Sequence, residues 1–362
     1  MYIVCHLVFG NRASPHCWCA VSGLLCWIAT RKLDIHGLHV YMDDFFGWDF
    51  MDNLVQFREM RHPRRQVQLL LFWEAIRCPF SDIKQQHSEV LKIIGFWVDA
   101  NFSSISLSPR SIDDLINKID SFLSCRQHAL RDWQRLAGHI NWLFNVLPWG
   151  RPALTEFYRK ISGKRHQYAM IPLNRTIIEN LSWLRAIIPK SIGIRLVDAD
   201  LWNDCDADFV VWTNASLTAL AFVYAGNGFV YRLNKTSSSQ IKFDIFFLEL
   251  IAILSAIFHI ASFDKPPQRV LLWTDSLDSV AVLNSLHARQ PIHNAPLLAI
   301  ADIILRSGIN LRLRHLTSKE NLRADLLSRL LLSDYLQRFP SDHVCTFSPP
   351  RDLLPARWQT CF

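Results

Sequence analysis

From Ile245 to Phe263 the chain runs through nineteen residues, nearly all of them apolar. A stretch like that cannot lie on a wet surface, because every face of the helix it would form exposes hydrocarbon. It is about long enough to span a bilayer. Glu249 and His259 fall inside it, however, and an ionisable group within a span is costly. The better reading is a helix buried against a sheet with Glu249 aimed at the sheet edge. Strand-like runs supply that sheet on both sides, Val210-Val211-Trp212-Thr213 before the helix and Arg269-Val270-Leu271-Leu272-Trp273-Thr274 after it. With 362 residues, half of them hydrophobic, the chain has material for two or three cored domains, and disorder is excluded as its main state.

A second feature bears on chemistry. Residues 38 to 48 read Leu-His-Val-Tyr-Met-Asp-Asp-Phe-Phe-Gly-Trp, two adjacent carboxylates between apolar β-formers. The pattern predicts a hairpin with Asp43 and Asp44 at its tip, where acids can hold a divalent ion against a phosphate instead of being buried unpaired. An ordinary Asp-containing turn is the plain alternative. Residues 108 to 190 read as helices. Ser108 and Pro109 form a start signal, followed by Ile112, Leu115, Ile116, Ile119 and Leu123 at helical spacing. A second helix is expected from Leu130 to before Pro148, and a third after Pro172. The acidic stretch from Pro189 to Asp208 is expected to be a linker of solvated acids, and the tail from Ser333 a loosely ordered extension.

Tyr41-Met42-Asp43-Asp44 resembles the Tyr-X-Asp-Asp signature of reverse transcriptases. Leu7-Val8-Phe9-Gly10-Asn11-Arg12-Ala13-Ser14-Pro15 resembles the Phe-Gly and Ser-Pro motif that precedes it in that family. Lys84 and Ile94-Gly95-Phe96-Trp97-Val98-Asp99 are similar to the motifs that close the palm of retrotransposon polymerases. Further on, Val210-Val211-Trp212-Thr213-Asn214-Ala215-Ser216 resembles the opening of a ribonuclease H domain, with Glu249 and Asp275 at its next acidic positions. The run from His315 through Asn321, Ala324-Asp325 and Leu327-Ser328-Arg329 is similar to the end of that domain in gypsy-like and DIRS-like retroelements, and it places a fourth acid at Asp325.

The resemblance implies an α/β chain. A partial polymerase palm would cover 1–107 and a helical thumb or connection region 108–190. A linker over 191–207 would lead to a ribonuclease H-like mixed sheet with flanking helices over 208–332, and an extension would follow over 333–362. It also implies two-metal sites using Mg²⁺ or Mn²⁺, held by Asp43 and Asp44 in one half and by Glu249, Asp275 and Asp325 in the other. Phe9, Gly10, Tyr41, Met42 and Lys84 would face template or incoming nucleotide. His315 would lie beside the ribonuclease H metals, and Asn321 would fix its loop. At the position of the family's central aspartate stands Asn214, whose amide oxygen carries no charge, so metal affinity and cleavage are expected to be weak. The chain begins a few residues before the Phe-Gly motif, so the fingers and the strand bearing the first palm aspartate are expected to be missing. Asp34, Asp49 and Asp52 fall in the wrong part of the order to replace that acid.

The expected partner is an RNA/DNA hybrid or nucleic-acid template. A formal charge of +7 suits a polyanion, and the clusters Arg58, Arg61, Arg64, Arg65 and Arg159, Lys160, Lys164, Arg165 are its candidate contacts. Nine irregularly spaced cysteines and no secretory leader imply a reducing compartment, nucleus or cytoplasm, without a membrane. His16-Cys17-Trp18-Cys19 with Cys26 lies in a segment that reads as helix, which spreads these side chains over several faces. They read as buried small residues and not as a zinc site. The leading expectation is therefore a catalytically impaired piece of a retroelement reverse transcriptase with its ribonuclease H domain. The rival is a non-catalytic nucleic-acid-binding or scaffolding protein that retains these folds.

Overall fold

The computed structural model describes residues 12–190, the backbone of 194–195, and residues 202–233, 244–355 and 359. It is a mixed α/β structure that divides into two compact units, Met1–Ser103 and Ser104–Phe362.

In the N-terminal unit, helix α1 (Ala13–Arg31) turns its small residues Ser22 and Ala29 inward. Ala29, Ile35 and Leu69 make a small core there, against which Leu38, Phe45, Phe72 and Trp73 pack. This reverses one expectation. Cys17 and Cys19 are exposed and Cys26 only half-buried, because the slots nearest the core go to still smaller side chains. Strands β1 (His39–Tyr41) and β2 (Asp44–Phe46) form a two-residue hairpin in which Tyr41 pairs with Asp44. Strands β3 (Leu54–Phe57) and β4 (Met60–Pro63) form a second hairpin leading into α2 (Arg64–Ala75). A third joins β5 (Val90–Ile93) to β6 (Phe96–Asp99) through Ile94 and Gly95, both at positive φ of 50° and 83°. Two left-handed residues in a row match the twist of a hairpin, and glycine at the second reduces the strain.

The C-terminal unit opens with β7 (Ser104–Leu107), paired antiparallel with the short β10 (Ile194–Arg195). Between them lies a helical layer: α3 (Pro109–Leu123), α4 (Leu130–Leu143), α5 (Thr155–Ile161) and α6 (Arg175–Ile187). Strands β8 (Gln127–Ala129) and β9 (Met170–Pro172) clip the layer together. The start signal at Ser108 acts as read, and α6 has a cap that was not singled out in the sequence. Ser108 Oγ accepts from Ser111 N–H, and Asn174 caps α6 by accepting from Ile177 N–H. Phe122, Trp133 and Phe157 fill the centre of this layer, with ring centroids of Trp133 and Phe157 4.6 Å apart.

Six strands then build one mixed sheet. Strands β11 (Phe209–Ala215), β12 (Ala219–Tyr224) and β13 (Asn227–Arg232) are an antiparallel meander. Strand β14 (Arg269–Thr274) lies parallel to β11, and β15 (Asn310–His315) lies parallel to β14. Helix α7 (Ile245–Ala261), capped by Asp244, covers one face together with α8 (Leu277–Ser285) and α9 (Pro291–Ser307). Every residue of α7 from Phe247 to Ile257 is buried, as its composition requires. Along β12, Leu220 and Phe222 point into that layer. Ala221 and Val223, offset by one, meet α10 (Leu322–Ser328) and α11 (Leu332–Arg338) on the other face. Each large side chain so buried contributes about 1.5 to 3 kcal/mol. Among the described residues no helix is long and apolar enough to cross a membrane.

The tail is not the loose extension read from its prolines. Strand β16 (His343–Thr346) joins the sheet parallel to β13 and gives the order β15-β14-β11-β12-β13-β16. Tyr335 of α11 is fully buried and donates to Asp342 Oδ2 at 2.8 Å, while Arg323 reaches the same carboxylate at 3.2 Å. Asp198 and Asp200 of the linker lie outside the described residues, and the linker acids within them are partnered. Asp204 pairs with Arg314 at 3.1 Å, and Asp208 accepts from Arg269 N–H at 2.8 Å. Truncating Tyr335 to Ala is expected to cost about 3 to 5 kcal/mol of unfolding free energy, read by urea denaturation. A merely appended tail would leave the urea midpoint unchanged.

Candidate functional site

Three parallel strands of the C-terminal sheet end side by side. In register, Thr213 of β11 lies opposite Thr274 of β14, and Thr274 lies opposite His315 of β15. One residue further on stand Asn214 and Asp275, so Asn214, Asp275 and His315 are delivered to one end of the sheet. The C-terminal edge of parallel strands is where α/β sheets place ligands. Glu249 arrives from the second turn of α7 and accepts a hydrogen bond from Ala215 N–H at 3.1 Å. Asp325 arrives from the first turn of α10, which Asn321 anchors by donating from its Nδ2 to Thr213 O at 2.9 Å. Five positions singled out in the sequence therefore gather at one place, and Asn321 ties the loop beneath them.

The hydrogen bonding at this place is already largely complete. Asn214 donates from Nδ2 to Asp325 Oδ1 at 3.2 Å. Arg329, one turn further along α10, donates from Nε to the same oxygen at 2.7 Å. Asp275 Oδ2 accepts from Ser318 Oγ at 2.8 Å. Two groups here are exceptions among the described residues, Asn321, whose Oδ1 is buried without a partner, and Glu249. Its Oε2 is buried with no partner, and burial pushes its pKa up to about 8. The Ala215 N–H opposes that shift, while the charges of Asp275 and Asp325 add to it. At neutral pH this carboxyl is mostly protonated.

Two divalent ions need converging anionic oxygens. The donor set here does not fit them. Asn214 brings no charge and turns its amide N–H toward Asp325, Arg329 already pairs with the Asp325 carboxylate, and Glu249 is held near neutral. Among the described residues no group of three or more His, Cys, Asp or Glu is placed to hold a metal. Arg329 was quoted within the Leu327-Ser328-Arg329 motif but given no role, and Ser318 was not singled out in the sequence. Arg329 was findable, being four residues after Asp325 on one helix and so on the same face. Ser318 carried no signal.

In the N-terminal unit, Asp43 and Asp44 are exposed at the tip of the β1–β2 hairpin, with Met42 at φ 55°. Trp18 Nε1 donates to Met42 O at 3.1 Å and fastens the turn to α1. Tyr41 is half-exposed and Lys84 lies exposed in a short 3₁₀ turn. Phe9 and Gly10 lie outside the described residues. Asp49 is engaged structurally. It accepts from Arg65 N–H at 3.0 Å, Asn53 at 2.9 Å and Phe50 N–H at 2.9 Å. Its burial raises the pKa, but these bonds and the Arg65 charge outweigh it and leave the group lowered. Two arginines of the 58–65 cluster are likewise engaged internally. Arg58 pairs with Glu74 and Asp82, and Arg65 stacks on Trp48 at 4.5 Å.

No family model matches the chain, and no curated protein matches it. Among solved structures it is similar to the foamy viral protease-reverse transcriptase in complex with RNA/DNA hybrid. That match has 15% identity and a TM-score of 0.39, over 85% of this chain and 38% of that one. The same protein in complex with dsDNA matches at 15% identity and a TM-score of 0.40, over 85% and 60%. RNase H1 from the halophilic archaeon Halobacterium salinarum NRC-1 matches at 16% identity and a TM-score of 0.26, over 35% of this chain and 98% of that one. The chain thus spans between 38% and 60% of the length of these two reverse-transcriptase structures.

The Glu249 carboxyl gives a pH test. Its folded pKa lies above its unfolded one, so its contribution to stability is complete in acid and is lost as pH rises through about 8. Wild type should lose stability relative to Glu249→Gln between about pH 5 and pH 8.5 in urea titrations. A wild type that gains on the variant over that range would remove the burial account.

Proposed function

We propose that the C-terminal unit is a ribonuclease H-like nucleic-acid domain whose hydrolytic site has been replaced by a hydrogen-bonded one. On this reading it binds RNA/DNA hybrid but cleaves it poorly or not at all. The observation that carries this is the Asn214 to Asp325 hydrogen bond at 3.2 Å. A carboxylate at position 214 would repel Asp325 and call for a cation between them. The amide instead satisfies Asp325 directly, so the site needs no ion to be stable. Arg329 on the same oxygen and the neutral Glu249 support the same reading.

The motif resemblances support an origin in a retroelement polyprotein of the gypsy-like or DIRS-like kind, with the exposed Asp43-Asp44 hairpin belonging to its polymerase half. DNA synthesis is not part of the proposal, which rests on the C-terminal unit alone. Without cleavage, a retained sheet and helical layer make a binding module, and that is the class of activity the geometry favours.

The test is hydrolysis of a labelled RNA/DNA hybrid in Mg²⁺ and in Mn²⁺ by the wild type and by Asn214→Asp. The expected result is no cleavage above background by the wild type, and cleavage by Asn214→Asp that is faster in Asn214→Asp/Arg329→Ala, where the competing cation is also removed. Cleavage by the wild type at the variant's rate would overturn the proposal.

A further inference from the structure

The six-stranded sheet has two edges, and they are finished differently. Strand β15 carries Arg312 and Arg314, which pair with Asp204 at 3.8 and 3.1 Å, and Arg312 also donates to Trp202 O. Charge and a neighbouring segment therefore guard that edge. Strand β16 reads His343-Val344-Cys345-Thr346, without lysine, arginine, acid or proline. His343 N–H and Phe347 N–H donate inward, to Gly226 O and Val230 O. Because a strand alternates, Val344 and Thr346 turn their N–H and C=O groups outward, and among the described residues no strand lies on that side. Cys345 and Thr346 are exposed.

Apolar surface lies beside this open edge. Tyr335 of α11 sits over Gly228, the residue of β13 in register with Val344, and Val344 packs against the cluster that holds Tyr335. Helix α11 thus covers the outer strands of the sheet. Its Leu332 and Leu336, one turn apart, remain 40% and 47% exposed. Asp334 and Arg338 stand two residues either side of Leu336, both exposed, and neither forms an ion pair among the described residues.

We propose that this edge joins two copies of the chain, β16 pairing antiparallel with β16 of the second copy about a two-fold axis at Cys345. The occupant follows from the chemistry of the patch. A two-fold axis sets each surface against itself, so the arginines of β15 would meet arginines, whereas β16 has no charge to oppose its like. In this register Val344 faces Thr346 of the second copy, and their outward N–H and C=O groups are exchanged in both directions. The two α11 helices fall on one face of the joined sheet and run in opposite directions. Leucines then meet leucines, and Asp334 of each copy is brought toward Arg338 of the other. An extended peptide from a different chain would satisfy the backbone but gives no reason for an acid and a base placed symmetrically about Leu336. Cys345 faces its own copy as a non-hydrogen-bonded pair with Cα atoms about 4.5 Å apart, inside the roughly 4.4–6.8 Å that a disulfide spans. The interface uses no residue of the strand-end site and stands apart from the hybrid-binding reading.

The experiment is sedimentation equilibrium of the full chain in reducing buffer over a concentration series, where wild type should show a reversible monomer–dimer equilibrium. Thr346→Pro removes an outward donor and leaves the bonds to β13 in place. It should raise the dimer Kd about tenfold or more, at an unchanged urea midpoint. Thr346→Lys should act in the same direction through charge, and it serves if the proline variant does not fold. Asp334→Arg should weaken the dimer, and Asp334→Arg/Arg338→Asp should restore it. Mild oxidation of wild type with copper phenanthroline should give a Cys345-to-Cys345 disulfide by mass spectrometry of the digest, lost in Thr346→Pro. A dimer unchanged by the position-346 variants, a charge swap that restores nothing, or disulfides only through other cysteines would overturn the proposal. So would a wild type that stays monomeric at every concentration. Uptake by that monomer of a strand-forming peptide, abolished by Thr346→Pro, would assign the edge to a different chain instead.

Discussion

Helix α7 has no side that water can wet, and the C-terminal unit is arranged around that fact. From Phe247 to Ile257 each residue must find a neighbour, so sheet and helices have to close over it from every direction. The meander β11–β13 supplies one wall, α8 and α9 another, and the parallel strands β14 and β15 extend the wall far enough to cover the helix along its length. The same constraint fixes where chemistry can occur. The one acid in α7 sits where the helix passes the end of β11, and its one hydrogen bond among the described residues is to the backbone of that strand.

A site placed this way is electrostatically demanding. Carboxylates converging on the end of a sheet repel each other unless something positive or proton-bearing lies between them. This chain meets the demand with its own atoms: an amide N–H, a guanidinium and a proton on Glu249. A metal would have done so reversibly and with chemistry attached. On the reading proposed above, covalently attached groups in its place keep the architecture and give up the reactivity. The strand-end geometry can thus outlast the activity for which the arrangement is suited.

Much of this was legible in the sequence, because the informative signals were local. The Asp43-Asp44 hairpin, the starts of α3 and α6, the run of β14 and the buried α7 each follow from patterns within one element. Asn214, Glu249, Asp275, His315 and Asp325 could be named as a set because their order matched a known arrangement, not because their contacts were foreseen. What escaped depended on distance. The tail was read from its prolines as loose, while the burial of Tyr335 against β12 and β13 is set by pairing across more than a hundred residues. The acids of the linker read as solvated, since their arginine partners in β14 and β15 lie 61 and 110 residues away in sequence. The cysteines of α1 were expected inside, and the face they occupy was decided by Ser22 and Ala29 fitting more closely.

The pairing of β16 with β13 has a consequence for how the molecule comes into being. Strand β13 ends at Arg232 and its outer neighbour begins only at His343, so the ribosome must make about half of this unit again before the sheet can be finished. During that interval one side of β13 offers unpaired N–H and C=O groups beside an apolar surface, the kind of edge on which neighbouring chains pair. Long-range parallel pairing also folds slowly, since loop-closure entropy is lost before contacts compensate for it. The nascent chain therefore carries β13 as an open sheet edge until β16 has docked.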